Sequence, residues 1–351
     1  MQEPNIPITQ ELLSLIAEID EFKGRWEALK HVSPDRLRSL RKVATIESVA
    51  SSTRIEGVTL SNKEVEKVLS LAAPNAFNTR DEQEVIGYGE TMDLVFQSYE
   101  FLRLTENHIR QLHLALLRHS QKDERHRGEY KTLPNHVIAK DEQGNEIGIV
   151  FETATPFDTP REMEALVQWT NKATDEKSLH PLLIIAVFVV KFLAIHPFQD
   201  GNGRLSRILT TLLLLRAGYV YVPFSSLESI IEENKEAYYK ALRRTQTTLK
   251  SDSPDWQAWV GFFLRCLKQQ KENLAAKLQQ EKTVNDAPLP LLSQQIMRVF
   301  AVHERLTIAE IAKLTKANQN TLKVRLRELV NAGHILRFGK ARATWYCVKR
   351  E

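Results

Sequence analysis

The chain is expected to be mainly α-helical, with one β-hairpin and a small mixed domain at its C-terminal end, and three observations point that way. Apolar residues recur at spacings of three and four over most of residues 8–281, the period of helices that bury one face. Before residue 290 the only strong strand-like alternation lies in 127–152, on both sides of Gln143-Gly144-Asn145, as in a hairpin. Thr283–Pro290 contains two prolines and reads as a linker to a domain of different make-up.

Taken in order, helices are expected near 8–30, 35–55, 61–72, 80–103, 105–119, 159–173, 182–195, 204–217, 226–248 and 255–281. Thr105 and Thr159 have the hydroxyls that suit helix N-caps, and Pro160 sits where a first-turn proline belongs. The run Leu182–Val190 is wholly apolar but stops at Lys191, well short of the ~20 residues of a membrane span. It reads as a helix buried on all sides. Gly218 closes the helix that follows. Beyond the linker, helices at Gln294–Val302, Ile308–Leu314 and Asn320–Asn331 end at Gly333, and strands at Ile335–Phe338 and Thr344–Val348 flank Gly339-Lys340-Ala341. With 351 residues, 42% of them hydrophobic, the chain can bury two or three cores. The expected division is 1–104, a core at 105–282, the linker at 283–290, and a last domain at 291–351.

Cys266 and Cys347 stand far apart without metal-ligand spacing, which argues against a disulfide framework or a zinc site. The first residues, Met-Gln-Glu-Pro-Asn, lack the basic and apolar regions of a secretory signal. A cytoplasmic protein with no membrane segment is expected.

The segment His196-Pro-Phe-Gln-Asp-Gly-Asn-Gly-Arg-Leu-Ser-Arg207 is the most informative. It lies between two apolar stretches and therefore forms a loop joining two helices. Gly201 and Gly203 let backbone N–H groups converge into an anion cradle that opens onto a helix N-terminus, where phosphate is the natural ligand. Arg204 and Arg207, three apart, can fork onto phosphate oxygens. Asp200 suits Mg²⁺, which takes one or two protein oxygens beside phosphates and water. His196, with a near-neutral imidazole, suits proton removal from an incoming hydroxyl. These parts describe nucleotidyl or phosphoryl transfer. The chain has no P-loop string and no kinase motif set.

At every specified position this segment resembles the Fic family signature, His-Pro-Phe-x-Asp/Glu-Gly-Asn-Gly-Arg-x-x-Arg. The resemblance implies a Fic-type helical core and an enzyme moving AMP from ATP onto a Ser, Thr or Tyr hydroxyl of a protein, with release of pyrophosphate. It implies His196 as general base, Asp200 as Mg²⁺ ligand, Gly201, Asn202 and Gly203 as anion hole, Arg204 and Arg207 on the outer phosphates, and Phe198 as a core plug. Residues 127–152 resemble the family's flap; the edge of 131–152 would pair with the target segment. Asn234 to Tyr239 resembles the stretch closing the adenine pocket, with Asn234 and one of the two tyrosines, Tyr238 or Tyr239, nearest the base. Ser52-Thr-Arg-Ile-Glu56-Gly57 fits the family's inhibition motif. Its glutamate, Glu56, would occupy Arg207 and keep the ATP γ-phosphate from its productive seat. The 1–104 region would thus carry an inhibitory helix. Family members often form dimers, so a homodimer is a further expectation.

The order of elements after residue 291 resembles a winged helix-turn-helix. Residues 285–351 hold 12 Lys and Arg against 5 Asp and Glu, a net of +7, leaving −3 for the rest of a chain whose total is +4. Lys323, Arg325 and Arg327 on the third helix, with Arg337, Lys340 and Arg342 at the wing, mark where such folds meet DNA. Docking to a protein is the other use of such a domain. Two further readings stay open: removal of AMP or transfer of another phosphate group at the same site, and a DNA-bound regulator whose core senses nucleotide.

Overall fold

The computed structural model describes residues 3–28, 34–70, 77, 79–140, 146–286, 290–300, 303, 305–339 and 344–348. The chain divides into two compact units, Met1–Leu274 and Ala275–Glu351.

At the centre of the first unit are α7 (Pro181–Ile195) and α8 (Asn202–Arg216), packed against each other. Helix α7 is apolar on every face, and every residue from Leu182 to Val190 is buried. Helix α8 is buried all round despite its hydroxyls, because Ser206 donates to Gly203 O (2.7 Å) and Thr210 to Ser206 O (2.8 Å). Returning each hydroxyl to its own helix lets a polar residue enter the core without an unmade bond. Around this pair pack α2 (Pro34–Ile55), α4 (Arg80–Ser98), α5 (Glu106–Leu116), α6 (Thr159–Glu176) and α10 (Lys235–Gln246). Other α-helices of this unit are α1 (Gln10–Ala28), α3 (Asn62–Ser70), α9 (Leu227–Glu233) and, as far as Leu274, α11 (Trp256–Asp286).

Several expectations need adjusting. The helix expected over 226–248 is two helices, because Asn234 leaves helical geometry (φ −113°) and turns its side-chain amide onto Ile230 O at 2.9 Å. Thr105 does cap α5, accepting from His108 N, but α6 begins at Thr159 itself, after Asp158. The Thr159 hydroxyl instead donates to Thr155 O. Helix α11 continues to Asp286, into the stretch expected as linker; 287–289 lie outside the described residues.

Strands β1 (Val137–Lys140) and β2 (Glu146–Phe151) pair antiparallel, with Val137 opposite Phe151 and Lys140 opposite Glu146. The turn at Gln143-Gly144-Asn145 lies outside the described residues. The hairpin is shorter than 127–152: residues 127–136 form turns and irregular chain that bond to neighbouring loops.

In the second unit, α12 (Leu291–Phe300), α13 (Ile308–Thr315) and α14 (Gln319–Asn331) pack with a three-stranded antiparallel sheet of order β3-β5-β4 (β3 Leu306–Thr307, β4 Ile335–Phe338, β5 Trp345–Val348). Leu322, Leu326 and Leu329 form the buried stripe of α14, against Ile296, Ile311 and Ile335. Gly333 takes φ +75° just after α14, the left-handed turn expected of a glycine there. Strand β3 was not expected; two residues carry no readable alternation. Lys340 and Arg342 lie outside the described residues.

Candidate active site

Helix α7 ends with His196 in the left-handed region (φ 53°, ψ 58°), its N–H still bonded to Phe192 O. A non-glycine residue there costs about 1–2 kcal/mol, so the surroundings must enforce it. Phe198, fully buried, stacks on the His113 ring with centroids 3.8 Å apart. Asn202 holds Phe198 from both sides, its Oδ1 accepting from Phe198 N (2.9 Å) and its Nδ2 donating to Phe198 O (2.7 Å). Asn135 Nδ2 donates to His196 O and Phe198 O, and Lys131 N donates to Pro197 O. The loop is thus fastened by its main chain.

Gly201 precedes α8 with φ +78° and supplies no side-chain cap, which leaves the first-turn N–H groups of α8 for a ligand. Gly203 is a glycine for another reason than the one expected. It lies inside the first turn of α8 without positive φ, but a Cβ there would stand 2.2 Å from Glu56 Oε1. Close approach, not turn geometry, sets this glycine apart: a side chain here would push the Glu56 carboxylate, the end of a flexible side chain, out of its place.

The two arginines of the loop diverge. Arg207, buried, donates through Nε to Ser52 Oγ (2.7 Å) and through Nη2 to Ser52 O (3.0 Å) and Glu56 Oε1 (2.8 Å). Burial works against both charges of the Arg207–Glu56 pair, yet their attraction prevails: the carboxyl is held below its ordinary value and the guanidinium raised above it. Arg204 instead turns toward α4, with Nη1 3.0 Å from the buried Glu84 carboxylate, and does not line the cleft. Arg80 grips the other oxygen of Glu84 at 2.8 Å.

A cleft of about 230 Å³ is lined by Glu56, His196, Asp200, Gly201, Asn202, Gly203, Arg207, Tyr238 and Tyr239, with Phe151 and Gln246 among others at its edges. Ser52, on α2, reaches the cleft only through its bonds to Arg207, and Gly57, just after α2, does not line it. Asn234 does not reach it, because its amide is spent on α9. Gln246, near the end of α10, lines the cleft where Asn234 was expected; its position one helix further along carried no readable signal. Tyr238 packs against Trp259 and Phe262, and Tyr239 stays partly exposed.

His196 Nδ1 faces Leu193 O at 3.4 Å, which places the ring proton on Nδ1 and leaves Nε2 as the basic atom. Its pKa is lowered to about 4, chiefly by burial and then by the Lys131 charge, rather than near-neutral as expected. The ring is neutral at pH 7 and able to accept a proton. Asp200 Oδ1 accepts from Gly201 N (2.6 Å) and meets Arg204 Nη2 at 3.3 Å; Oδ2 has Lys122 at 3.9 Å. Burial pushes this carboxyl up, but Arg204, the Gly201 N–H, Lys122 and Arg80 together hold it below the usual range. The carboxylate is ionised, open to the cleft and has an oxygen to spare, which suits a single-carboxylate Mg²⁺ site. Among the described residues no cluster of three or more His, Cys, Asp or Glu could hold a metal.

A helical core that presents the open N-terminus of α8, a neutral imidazole and a buried arginine in one cleft has the chemistry to receive a phosphate group. Residues 103–214 match the model of the Fic/DOC family. The chain is 28% identical over 255 residues to the protein adenylyltransferase Fic of Drosophila grimshawi, covering 72% of this chain and 47% of that one. The match to the Drosophila persimilis protein is 29% over 266 residues, covering 74% and 47%. The chain thus spans about half the length of the curated relatives it matches. In fold it is similar to a Fic family protein from Desulfovibrio desulfuricans G20 (TM-score 0.60, 23% identity, 100% of this chain and 99% of that one). It is also similar to a Fic domain containing signaling protein from Bacteroides thetaiotaomicron VPI-5482 (TM-score 0.60, 25% identity, 73% and 94%). No helix among the described residues is long and apolar enough to cross a membrane.

Proposed function

We propose that the protein is an adenylyltransferase that moves AMP from ATP to a Ser, Thr or Tyr hydroxyl of another protein, and that its own Glu56 restrains it. The observation that carries this reading is the meeting of His196 Nε2, Asp200, the open N-terminus of α8 and Arg207 in one cleft. His196 Nε2 takes the acceptor proton as the hydroxyl oxygen attacks the α-phosphorus. A new P–O bond forms, the bond from the α-phosphorus to the bridging oxygen breaks, and pyrophosphate leaves. The Gly201–Gly203 N–H groups face the phosphates, with Tyr238, Tyr239 and Gln246 toward the base. Bound at Asp200, Mg²⁺ would neutralise phosphate charge.

Glu56 restrains the reaction by occupancy. Its carboxylate holds the Arg207 donors that a terminal phosphate would use. The cleft is also smaller than the ~300–1,000 Å³ usual for small-molecule sites, and withdrawing Glu56 would enlarge it. Incubating the Glu56→Gly variant with host lysate and labelled ATP tests the reading. Label retained from the α-phosphate, found by mass spectrometry on a Ser, Thr or Tyr, is the expected result. Label from the γ-phosphate alone would mean kinase-like transfer, and release of AMP from a modified target by the unsubstituted protein but not by Glu56→Gly would mean the reverse reaction, with Glu56 orienting water.

A second activity is proposed for residues 291–351 as a winged helix that binds DNA. Lys323, Arg327 and Arg337 are exposed in this unit of net positive charge. Salt-dependent DNA retention that survives His196→Ala and is lost with removal of 285–351 is expected; retention without that segment would refute it.

A further inference from the structure

Lys131 is 3% exposed and stands at the start of the stretch expected as flap, where no role was assigned to its side chain. Its ammonium donates to Asn135 Oδ1 (2.7 Å), Thr153 Oγ1 (3.0 Å) and Ile195 O (3.0 Å). These three acceptors use all three of its protons, and none is a carboxylate. Burying a cation among neutral groups is unfavourable, and burial lowers its pKa to about 8. An apolar side chain of the same length would avoid that cost, so packing alone does not account for the lysine.

Its geometry does. Four successive carbonyls of the loop are held by two residues of one short segment. Ile195 O accepts from the Lys131 ammonium, His196 O from Asn135 Nδ2, Pro197 O from the Lys131 backbone N–H, and Phe198 O from Asn135 Nδ2. The left-handed bend at His196 is thereby fixed on both sides. Thr153 closes the ring by donating to Asn135 Oδ1 at 3.1 Å. Lys131 and Asn135 lead into β1, and Thr153 follows β2. Both inner ends of the hairpin therefore converge on the backbone that presents the imidazole.

We propose that Lys131, Asn135 and Thr153 form a clip that couples occupancy of the hairpin by the acceptor segment to the placement of His196, with Lys131 as the central positioning residue. The inference rests on reading His196 as the base. A hairpin pulled into register by a docked strand draws on the clip, and the clip moves the main chain on either side of His196. The charged groups facing His196 are Lys131 on the clip side, Glu56 from the end of α2 and Asp200 from the loop, with Arg207 of α8 beyond Glu56.

The test uses the full chain with Glu56→Gly, α-labelled ATP as donor and a host-lysate protein fraction as acceptor. Lys131→Met, Lys131→Arg, Thr153→Val and His196→Ala are compared in that background. Lys131→Met is expected to lower the rate at saturating ATP about 100-fold, the cost of a roughly 1 Å misplacement, while ATP affinity by calorimetry changes less than about 3-fold. Its acid limb should move to higher pH, because a positive charge no longer faces the imidazole. Lys131→Arg should restore the limb and part of the rate. Should Lys131→Met not fold, Thr153→Val, which removes one link and exposes no charge, should still slow transfer about 3- to 10-fold with unchanged ATP affinity. An unimpaired rate in Lys131→Met or Thr153→Val, beside an inactive His196→Ala, overturns the clip. Transfer that survives His196→Ala overturns the base assignment instead.

Discussion

The loop is held from two sides, each time by a glutamate against an arginine, and the two sides differ in what water can reach. On the α4 side, Glu84 is 7% exposed and bridges Arg204 and Arg80, away from the cleft. On the α2 side, the Glu56 side chain is 32% exposed and faces the cleft while it grips Arg207. Both guanidiniums are buried and stand three residues apart in one helix. The burial of the partner, not the identity of the pair, separates a strut from the brake proposed for Glu56. Removing a partner from a buried pair strands a charge, whereas a carboxylate at the cleft edge can be replaced there by water or phosphate.

The largest effect expected from this contrast is on stability. Glu84→Ala should cost about 3–5 kcal/mol, read as the loss in unfolding free energy in urea, because it leaves Arg204 and Arg80 facing each other. Arg204 Nε and Nη1 already lack an aligned acceptor. A loss under about 1 kcal/mol would make the two sides alike.

Acid should weaken the same region through its imidazoles. His113 is fully buried, accepts the Gly128 N–H at Nδ1 and bonds Asp200 O through Nε2, so a second ring proton would confront a donor. Burial lowers its pKa to about 4, and that of His196 likewise. Between pH 6.5 and about 4 the unfolded chain takes protons that the folded chain refuses, so stability falls as pH drops through this window and is fully present above it. His113 contributes on the order of 3 kcal/mol by pH 4; His196, partly open to the cleft, contributes less. Melting temperatures at pH 7.5, 6.5, 5.5 and 4.5 check this. A flat series would mean that the imidazoles titrate as if exposed.

Glu56→Gly comes next. A hydrogen bond to a charged group is worth about 1.5–3 kcal/mol, so freeing Arg207 should raise transfer, and ATP affinity by calorimetry, about 10- to 100-fold. The stability cost should stay well below that of Glu84→Ala. Unchanged transfer would remove the brake from the account.

What could be read from the sequence was local. A continuous apolar run, a glycine after it and a polar string between two helices specify a buried helix, a loop and a second helix without reference to anything distant. Partnerships across the chain were not readable. Glu84 lies among charged residues that look solvated, and only the fold brings it under Arg204. Lys131 falls in the stretch expected as flap, but no pattern announces that three neutral oxygens will enclose it. Asn234 failed as a cleft residue for a related reason: an asparagine in a helical stretch can use its amide to end the helix, and here it does.

The smallest effect probes how the brake is seated. Arg54, two residues before Glu56, points elsewhere: its Nε and Nη2 donate to the two oxygens of Glu232 at 2.6 and 2.8 Å, and Nη1 bonds Leu60 O and Asn62. The pair ties the end of α2 to α9 and is about a quarter exposed, so it is worth about 0–1 kcal/mol. Glu232→Gln preserves the shape and removes the charge. If the pair steadies the helix end that carries Glu56, this variant should raise basal transfer by up to about 5-fold, the equivalent of 1 kcal/mol. The rise should vanish in the Glu56→Gly background, because a loosened seat cannot further release a carboxylate that is gone. Such non-additivity is the mark of two residues acting through one contact. An equal rise in both backgrounds would mean that Glu232 acts on the cleft by another route, and that the α2 side is held by Ser52 and Glu56 alone.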